Sequence, residues 1–140
     1  MPVRTANAVW EGDLKGGKGR MKFGSFDGPY SFASRFENGQ GTNPEELLAA
    51  AHAGCFSMAF SSGLAKAGFM PTSVRTTAHA TLEKVGEGFK VTTMELVCEG
   101  KVPGIDNAKF QEVAEGAKKG CPVSQALTGV NVILKASLVP

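Results

Sequence analysis

The sequence has no long run of like charge and no strong excess of either sign. Its 15 basic and 13 acidic residues are interleaved along 140 residues, which leaves a formal net charge of +2. Proteins that bind nucleic acid usually carry a basic patch or a charged tail. The sequence therefore predicts a mixed, solvated surface and no nucleic-acid partner.

The N-terminus lacks the apolar segment of a secretory signal peptide, so we expect a cytoplasmic protein. Cysteine is also scarce: there are 3, an odd number. Reducing compartments keep thiols free, which argues against a structural disulfide framework. A disulfide formed here would be transient and catalytic.

One apolar stretch, residues 47–67, is long enough to raise the question of a membrane span. It contains His52, Lys66 and several serines and glycines, and two glutamates precede it. These polar residues favour a buried core helix instead. Apolar side chains occupy nearly every side of it, which predicts burial all round and no membrane partner.

At this length the chain fits one domain, residues 1–140. The order of elements predicts an α+β fold. Asn43 followed by Pro44 marks the start of the long helix, which should run to residue 67 before Gly68. The other predicted elements are strands 5–10, 20–26, 30–36, 74–85, 89–102 and 130–139, a helix 107–119, and a short helix from Pro122 to residue 127.

Two cysteines stand in settings that suit chemistry. Cys55 lies on the apolar, alanine-rich helix, where its plainest interpretation, taken alone, is a small buried hydrophobe. Cys121 precedes Pro122 at a helix start, where free backbone N–H groups favour a thiolate. Together the pair suggests a nucleophile and its resolving partner, whereas Cys98 on a strand is expected to pack in the core.

A thiolate in an apolar site needs a nearby cation, because burial alone raises a thiol pKa. Arg35 is the best candidate, since it precedes the Asn43 cap by only a short loop, and Glu45 could hold its guanidinium in a bidentate contact. His52 lies one turn before Cys55. It could assist the thiolate, bind a metal with the cysteines, or be a histidine satisfied in the core or at an interface.

Residues 41–59 (GTNPEELLAAAHAGCFSMA) resemble the signature of the OsmC/Ohr family of thiol peroxidases. Residues 120–127 (GCPVSQAL) resemble the second cysteine motif of that family. Shorter matches at 9–13, 30–36 and 102–106 extend the likeness over nearly the whole chain. The pattern is similar to the OsmC branch rather than the organic-hydroperoxide-resistance branch.

The resemblance implies an OsmC-like fold, with antiparallel sheets wrapped around a long buried central helix in an intertwined homodimer. It implies an antioxidant enzyme of the stress response that needs no metal or haem. By motif, Cys55 is the peroxidatic nucleophile and Cys121 the resolving cysteine. Arg35 is the activating cation, and Glu45 is its partner.

The implied reaction reduces organic hydroperoxides and hydrogen peroxide through a sulfenic acid on Cys55 and a Cys55–Cys121 disulfide. An external dithiol would then reduce the disulfide, and a lipoylated protein is a candidate by analogy with relatives. The alternative is a dimeric binding module for a small hydrophobic ligand, in which the cysteines are merely buried.

One geometric difficulty follows from the predicted helix. Glu45 and Cys55 are ten residues apart, which is about 15 Å along a straight helix, and one arginine does not bridge that distance. Either the helix breaks near Ala53 and Gly54, or Arg35 and Glu45 come from the opposite subunit. We predict the second arrangement.

Overall fold

The computed structural model describes all residues from 1 to 140 and has the predicted α+β architecture. The chain divides into two compact units, Met1–Leu47 and Leu48–Pro140. The elements in chain order are β1 (Asn7–Glu11), β2 (Lys18–Phe23), β3 (Phe26–Tyr30), α1 (Phe32–Phe36), α2 (Pro44–Lys66), β4 (Ser73–Val85), β5 (Gly88–Lys101), α3 (Asn107–Gly120), α4 (Pro122–Ala126) and β6 (Asn131–Leu138).

The first unit contains a three-stranded antiparallel meander in the order β1-β2-β3. The rings of Trp10 and Tyr30 approach to 5.4 Å between centroids over Gly19. A Cβ at position 19 would lie 2.5 to 2.6 Å from atoms of both rings. Glycine at this position therefore allows the two aromatic side chains to meet across the sheet.

The prediction of a third strand over residues 30–36 is wrong beyond Tyr30, because the chain turns into the short helix α1. Ser31 is its N-cap: the Ser31 side chain accepts from Ser34 N, and Ser34 Oγ accepts from Ser31 N. Ser34 Oγ also donates to the carbonyl oxygen of Thr42 at 2.8 Å. This reciprocal capping and the tie to Thr42 outweigh the alternating pattern that indicates a strand.

Replacing Ser34 by alanine tests how much this cap stabilises the protein. The Ser34→Ala variant removes the acceptor for Ser31 N and leaves the Thr42 carbonyl without that donor, while Ser34 N still donates to Ser31 Oγ. We expect the free energy of unfolding to fall by about 1–2 kcal/mol in chemical denaturation. Ser25→Ala, in an exposed turn, is the matched control and should stay near wild type. Equal stability of the two variants would contradict this account of α1.

The second unit is built on a sheet in the order β4-β5-β6. β4 and β5 form the predicted antiparallel hairpin around Gly86, whose φ of 62° suits a tight two-residue turn. β6 pairs with β5 in parallel. The core beside this sheet contains three fully buried rings, with Phe60 contacting both Phe56 and Phe110.

Helix α2 begins as predicted, with Asn43 Oδ1 accepting from Glu46 N at 2.8 Å, and ends just before Gly68, which has a φ of 92°. Within Leu48–Pro140 the helix buries one stripe at i, i+4 spacing: His52, Phe56, Phe60 and Leu64. Its other face is exposed, including Met58 at 77%.

The prediction that α2 is buried on every side is therefore wrong for a single chain. By length and composition α2 could cross a membrane, but a core helix passes the same test, and only 22% of its most apolar window is buried here. The apolar composition predicted a buried helix, and the single chain buries one side of it.

Candidate active site

The sulfur atoms of Cys55 and Cys121 are 2.9 Å apart, although the residues are 66 positions apart in the chain. Cys55 lies on α2, whose buried stripe faces the core, and Cys121 is the residue between α3 and α4. Both thiols are free. Their separation exceeds the roughly 2.05 Å of a disulfide bond only slightly, so little movement would join them.

The two thiols differ in access. Cys121 is fully buried, whereas Cys55 is partly exposed. An external reactant therefore reaches Cys55 first. Cys121 lies behind it, where it contacts the sulfur of Cys55 and not the solvent. This inequality suits a nucleophile and a resolving thiol.

The two thiols also differ in charge preference. Burial raises the pKa of Cys55, the Cys121 sulfur raises it further, and the N–H of Val123 opposes both effects weakly. Burial acts in the same direction on Cys121, but hydrogen bonds from Cys55 and from Ser124 outweigh it and lower the pKa of that thiol. Cys121 therefore holds the negative charge of the pair more readily.

No cation is among the groups that set the pKa of Cys55 in this arrangement. Helix α4 has only five residues, so its dipole is small. The local N–H and hydroxyl groups, and not the helix as a whole, favour the Cys121 thiolate.

Arg35 and Glu45 form a tight ion pair in the first unit. The guanidinium Nη2 lies 2.8 Å from Glu45 Oε1, and Nε lies 3.1 and 3.3 Å from the two carboxylate oxygens. Glu45 is 8% exposed, and the Arg35 guanidinium also sits 5.3 Å from the centre of the Phe36 ring. The expected contact between Arg35 and Glu45 is thus present and fixes the orientation of the guanidinium.

An open cleft of about 210 Å³ in the first unit includes this arginine. Trp10, Phe32 and Phe36 supply aromatic walls, and Arg35 supplies the charge. Helix α2 carries two further aromatic side chains, Phe56 and Phe60. Both rings are fully buried in the core, so they line no accessible pocket.

Helix α2 runs without interruption from Pro44 to Lys66. The alternative of a break near Ala53 and Gly54 is therefore excluded. Glu45 and Cys55 remain ten positions apart on one helix, a rise of about 15 Å. The structure thus pairs the four predicted site residues as Arg35 with Glu45 and Cys55 with Cys121.

His52 is fully buried, and its Nε2 lies 2.7 Å from Ser124 Oγ. Its Nδ1 is buried without a hydrogen-bond partner, and burial lowers the pKa of the ring. Ser124 is a residue that sequence reasoning missed. The sequence did offer one indication of a role for Ser124, because it lies three residues after Cys121 within the second cysteine motif, residues 120–127. Cys98 is fully buried on β5, as predicted.

Comparison with known proteins defines the class to which this fold and site belong. The family model described as OsmC-like protein matches residues 37–135. The chain therefore belongs to the OsmC-like family.

Individual relatives agree with this assignment. The chain is 52% identical over 127 residues to peroxiredoxin OsmC of Escherichia coli (strain K12), covering 89% of each protein. It is 33% identical over 92 residues to the organic hydroperoxide resistance protein of Xanthomonas axonopodis pv. citri, covering 65% of this chain and 63% of the relative. The crystal structure of the organic hydroperoxide resistance protein OhrB of Bacillus subtilis superposes with a TM-score of 0.74 at 28% identity, covering 95% and 98% of the two chains.

Proposed function

We propose that this protein is a thiol peroxidase that reduces hydroperoxides with Cys55 as nucleophile and Cys121 as resolving cysteine. The relatives named as a peroxiredoxin and as organic hydroperoxide resistance proteins support peroxide reduction. The observation that carries the residue assignment is the 2.9 Å approach of an accessible thiol to a fully buried one.

The reaction proceeds in three balanced steps. The Cys55 thiolate attacks the terminal peroxide oxygen, the O–O bond breaks, and the departing alkoxide takes a proton to leave as an alcohol. Cys121 then attacks the sulfur of the Cys55 sulfenic acid, forming a disulfide and releasing water. An external dithiol reduces this disulfide by exchange, which restores both thiols and oxidises the dithiol.

Arg35 acts on the Cys55 of a second subunit. Its guanidinium is held by Glu45 at the start of α2, while Cys55 lies about 15 Å further along the same axis. Side chains on a helix lean toward its N-terminus, so the Glu45 carboxylate points away from Cys55. A homodimer in which a partner covers the exposed face of α2 would bring a second Arg35 to each Cys55.

The cation has two tasks in this arrangement. It lowers the pKa of Cys55, offsetting the effect of burial, and it stabilises the negative charge that develops as the O–O bond breaks. The aromatic walls of the cleft beside Arg35 would hold an alkyl group, which favours organic hydroperoxides while leaving hydrogen peroxide as a smaller substrate.

The remaining partners follow from the same scheme. The reductant is a dithiol, and a lipoylated protein is our candidate. A second subunit, and not a membrane, covers the exposed face of α2, and the protein works in the cytoplasm. The two units act together as one domain over residues 1–140.

The Cys121→Ser variant tests the division of roles between the thiols. Without a resolving thiol, the Cys55 sulfenic acid persists after one equivalent of peroxide, because no disulfide forms within the chain. Dimedone should label Cys55, as read by peptide mass spectrometry, and the wild-type protein should instead show a Cys55–Cys121 disulfide. Steady-state turnover with a dithiol should fall at least about tenfold.

Two results would count against this assignment. One is a Cys121→Ser variant that turns over at the wild-type rate without forming a sulfenic acid. The other is dimedone labelling of Cys98, which the structure buries completely. Labelling of Cys55 in Cys121→Ser, with Cys98 unmodified, supports the roles as assigned.

A further inference from the structure

The buried pair His52 and Ser124 lies directly behind the resolving cysteine. Ser124 follows Cys121 by three residues on α4, and its backbone N–H and hydroxyl lower the pKa of the Cys121 thiol. His52 contacts Ser124, with Nε2 at 2.7 Å from Oγ. The contacts therefore form a chain from His52 through Ser124 to Cys121.

The direction of the hydrogen bonds along this chain follows from a proton count. A serine hydroxyl has one proton to donate. If Ser124 donates it to Cys121, the contact with His52 is made only when Nε2 carries the proton. Nδ1 of His52 is then a bare acceptor, which agrees with its burial without a partner. A positively charged ring would leave a buried N–H unpaired, and burial keeps the ring neutral.

We propose that His52 and Ser124 are positioning residues for the resolving step: His52 Nε2–H donates to Ser124 Oγ, and the Ser124 hydroxyl donates to the Cys121 thiolate. The pair holds the charge on the sulfur that must attack and aims it at Cys55. This inference rests on the proposed function, because it concerns the second step of that reaction.

This step transfers no proton to or from His52. Cys121 attacks the sulfur of the Cys55 sulfenic acid, the S–O bond breaks, and the departing hydroxide combines with the proton released by the Cys121 thiol to form water. Ser124 and His52 donate hydrogen bonds throughout and are neither oxidised nor reduced. Their contribution is to favour the thiolate before attack and to fix its position.

Two substitutions interrupt the hydrogen bonds between His52, Ser124 and Cys121 at different points. Ser124→Ala removes the hydroxyl, and His52→Phe removes the donor behind it. We expect each to raise the pKa of Cys121, which lowers its thiolate fraction at neutral pH. A less acidic thiolate is a better nucleophile, so the net slowing of disulfide formation is about threefold.

The experiment separates the two chemical steps by stopped flow with one equivalent of an alkyl hydroperoxide. Peroxide loss reports the first step, and disappearance of the trappable sulfenic acid reports the second. The pKa of Cys121 is read from ultraviolet thiolate absorbance in a Cys55→Ala background. His52→Gln, whose amide nitrogen can replace Nε2, should restore both readouts. Ser57 lies on the same helix as His52, and its hydroxyl pairs with Thr76 of β4, so Ser57→Ala is the matched control.

A slower second step with an unchanged first step, and recovery in His52→Gln, would establish the positioning role. An unchanged second step and an unchanged Cys121 pKa in Ser124→Ala would overturn it while leaving the peroxidase assignment intact. If His52→Phe does not fold, Ser124→Ala decides alone. Absence of the first step in the wild-type protein would instead overturn the proposed function, and this inference with it.

Discussion

The Cys55→Ser variant is expected to consume peroxide no faster than buffer containing the same dithiol. A serine hydroxyl is far less acidic than a thiol and does not attack a peroxide oxygen at neutral pH, so the first bond is never made. Cys121 does not substitute for the missing thiol, because it is fully buried and has no access to the substrate. The measurement is steady-state loss of an alkyl hydroperoxide.

Cys98→Ala is the matched control for this prediction. Its thiol is also fully buried, on β5, and has no role in the reaction, so turnover should remain at the wild-type level. The comparison also tests the binding-module alternative. If Cys55→Ser and wild type consume peroxide equally, the cysteines are structural and the catalytic account is wrong.

The second large effect is expected from Arg35→Met, which removes the guanidinium and its charge but keeps an unbranched apolar stem. The Cys55 thiolate would lose the cation that offsets burial, and the breaking O–O bond would lose its electrostatic stabilisation. We expect kcat/KM to fall by about 10²- to 10³-fold. The kcat/KM of Glu45→Gln should fall by less, because this substitution weakens the hold on the Arg35 guanidinium without removing its charge.

Mixing two inactive variants tests whether Arg35 acts across the dimer. In a heterodimer of Cys55→Ser with Arg35→Met, one site would combine an intact Cys55 with the intact Arg35 of the other chain. If the two variants are mixed in equal amounts and exchange subunits at random, about half of the dimers contain one chain of each kind. Each of these mixed dimers has one complete site out of two, so about a quarter of the wild-type activity should return. Size-exclusion chromatography with light scattering checks that dimers are present.

The same mixture distinguishes action of Arg35 within one chain. If Arg35 serves the Cys55 of its own chain, no mixed dimer contains a complete site. A mixture that stays inactive after subunit exchange, or a protein that is active as a monomer, would contradict the arrangement across subunits. Unbroken α2 makes this test necessary, since the helix itself separates Glu45 from Cys55.

Local sequence rules predicted the elements that local interactions determine. Asn43 and Pro44 located the start of α2, and Gly86 located the β4–β5 turn. They failed at α1, because its capping box and the bond from Ser34 to Thr42 override an alternating pattern over a few residues. Short helices held by side-chain caps leave little periodicity to read.

The site shows the same division between local and distant information. The motif resemblance named both cysteines, but their 2.9 Å contact joins residues from distant parts of the chain. Ser124 was missed because its partner His52 is 72 positions away. The exposed face of α2 was missed because an apolar composition does not show which sides of a helix the fold covers.

The most direct test of the account is peptide mass spectrometry of the wild-type protein after one equivalent of alkyl hydroperoxide, without added dithiol. We predict one disulfide within each chain, between Cys55 and Cys121, while Cys98 stays reduced. Adding a dithiol should then reduce this disulfide. A chain in which peroxide leaves both thiols free, or joins Cys98 to either of them, would contradict the central claim.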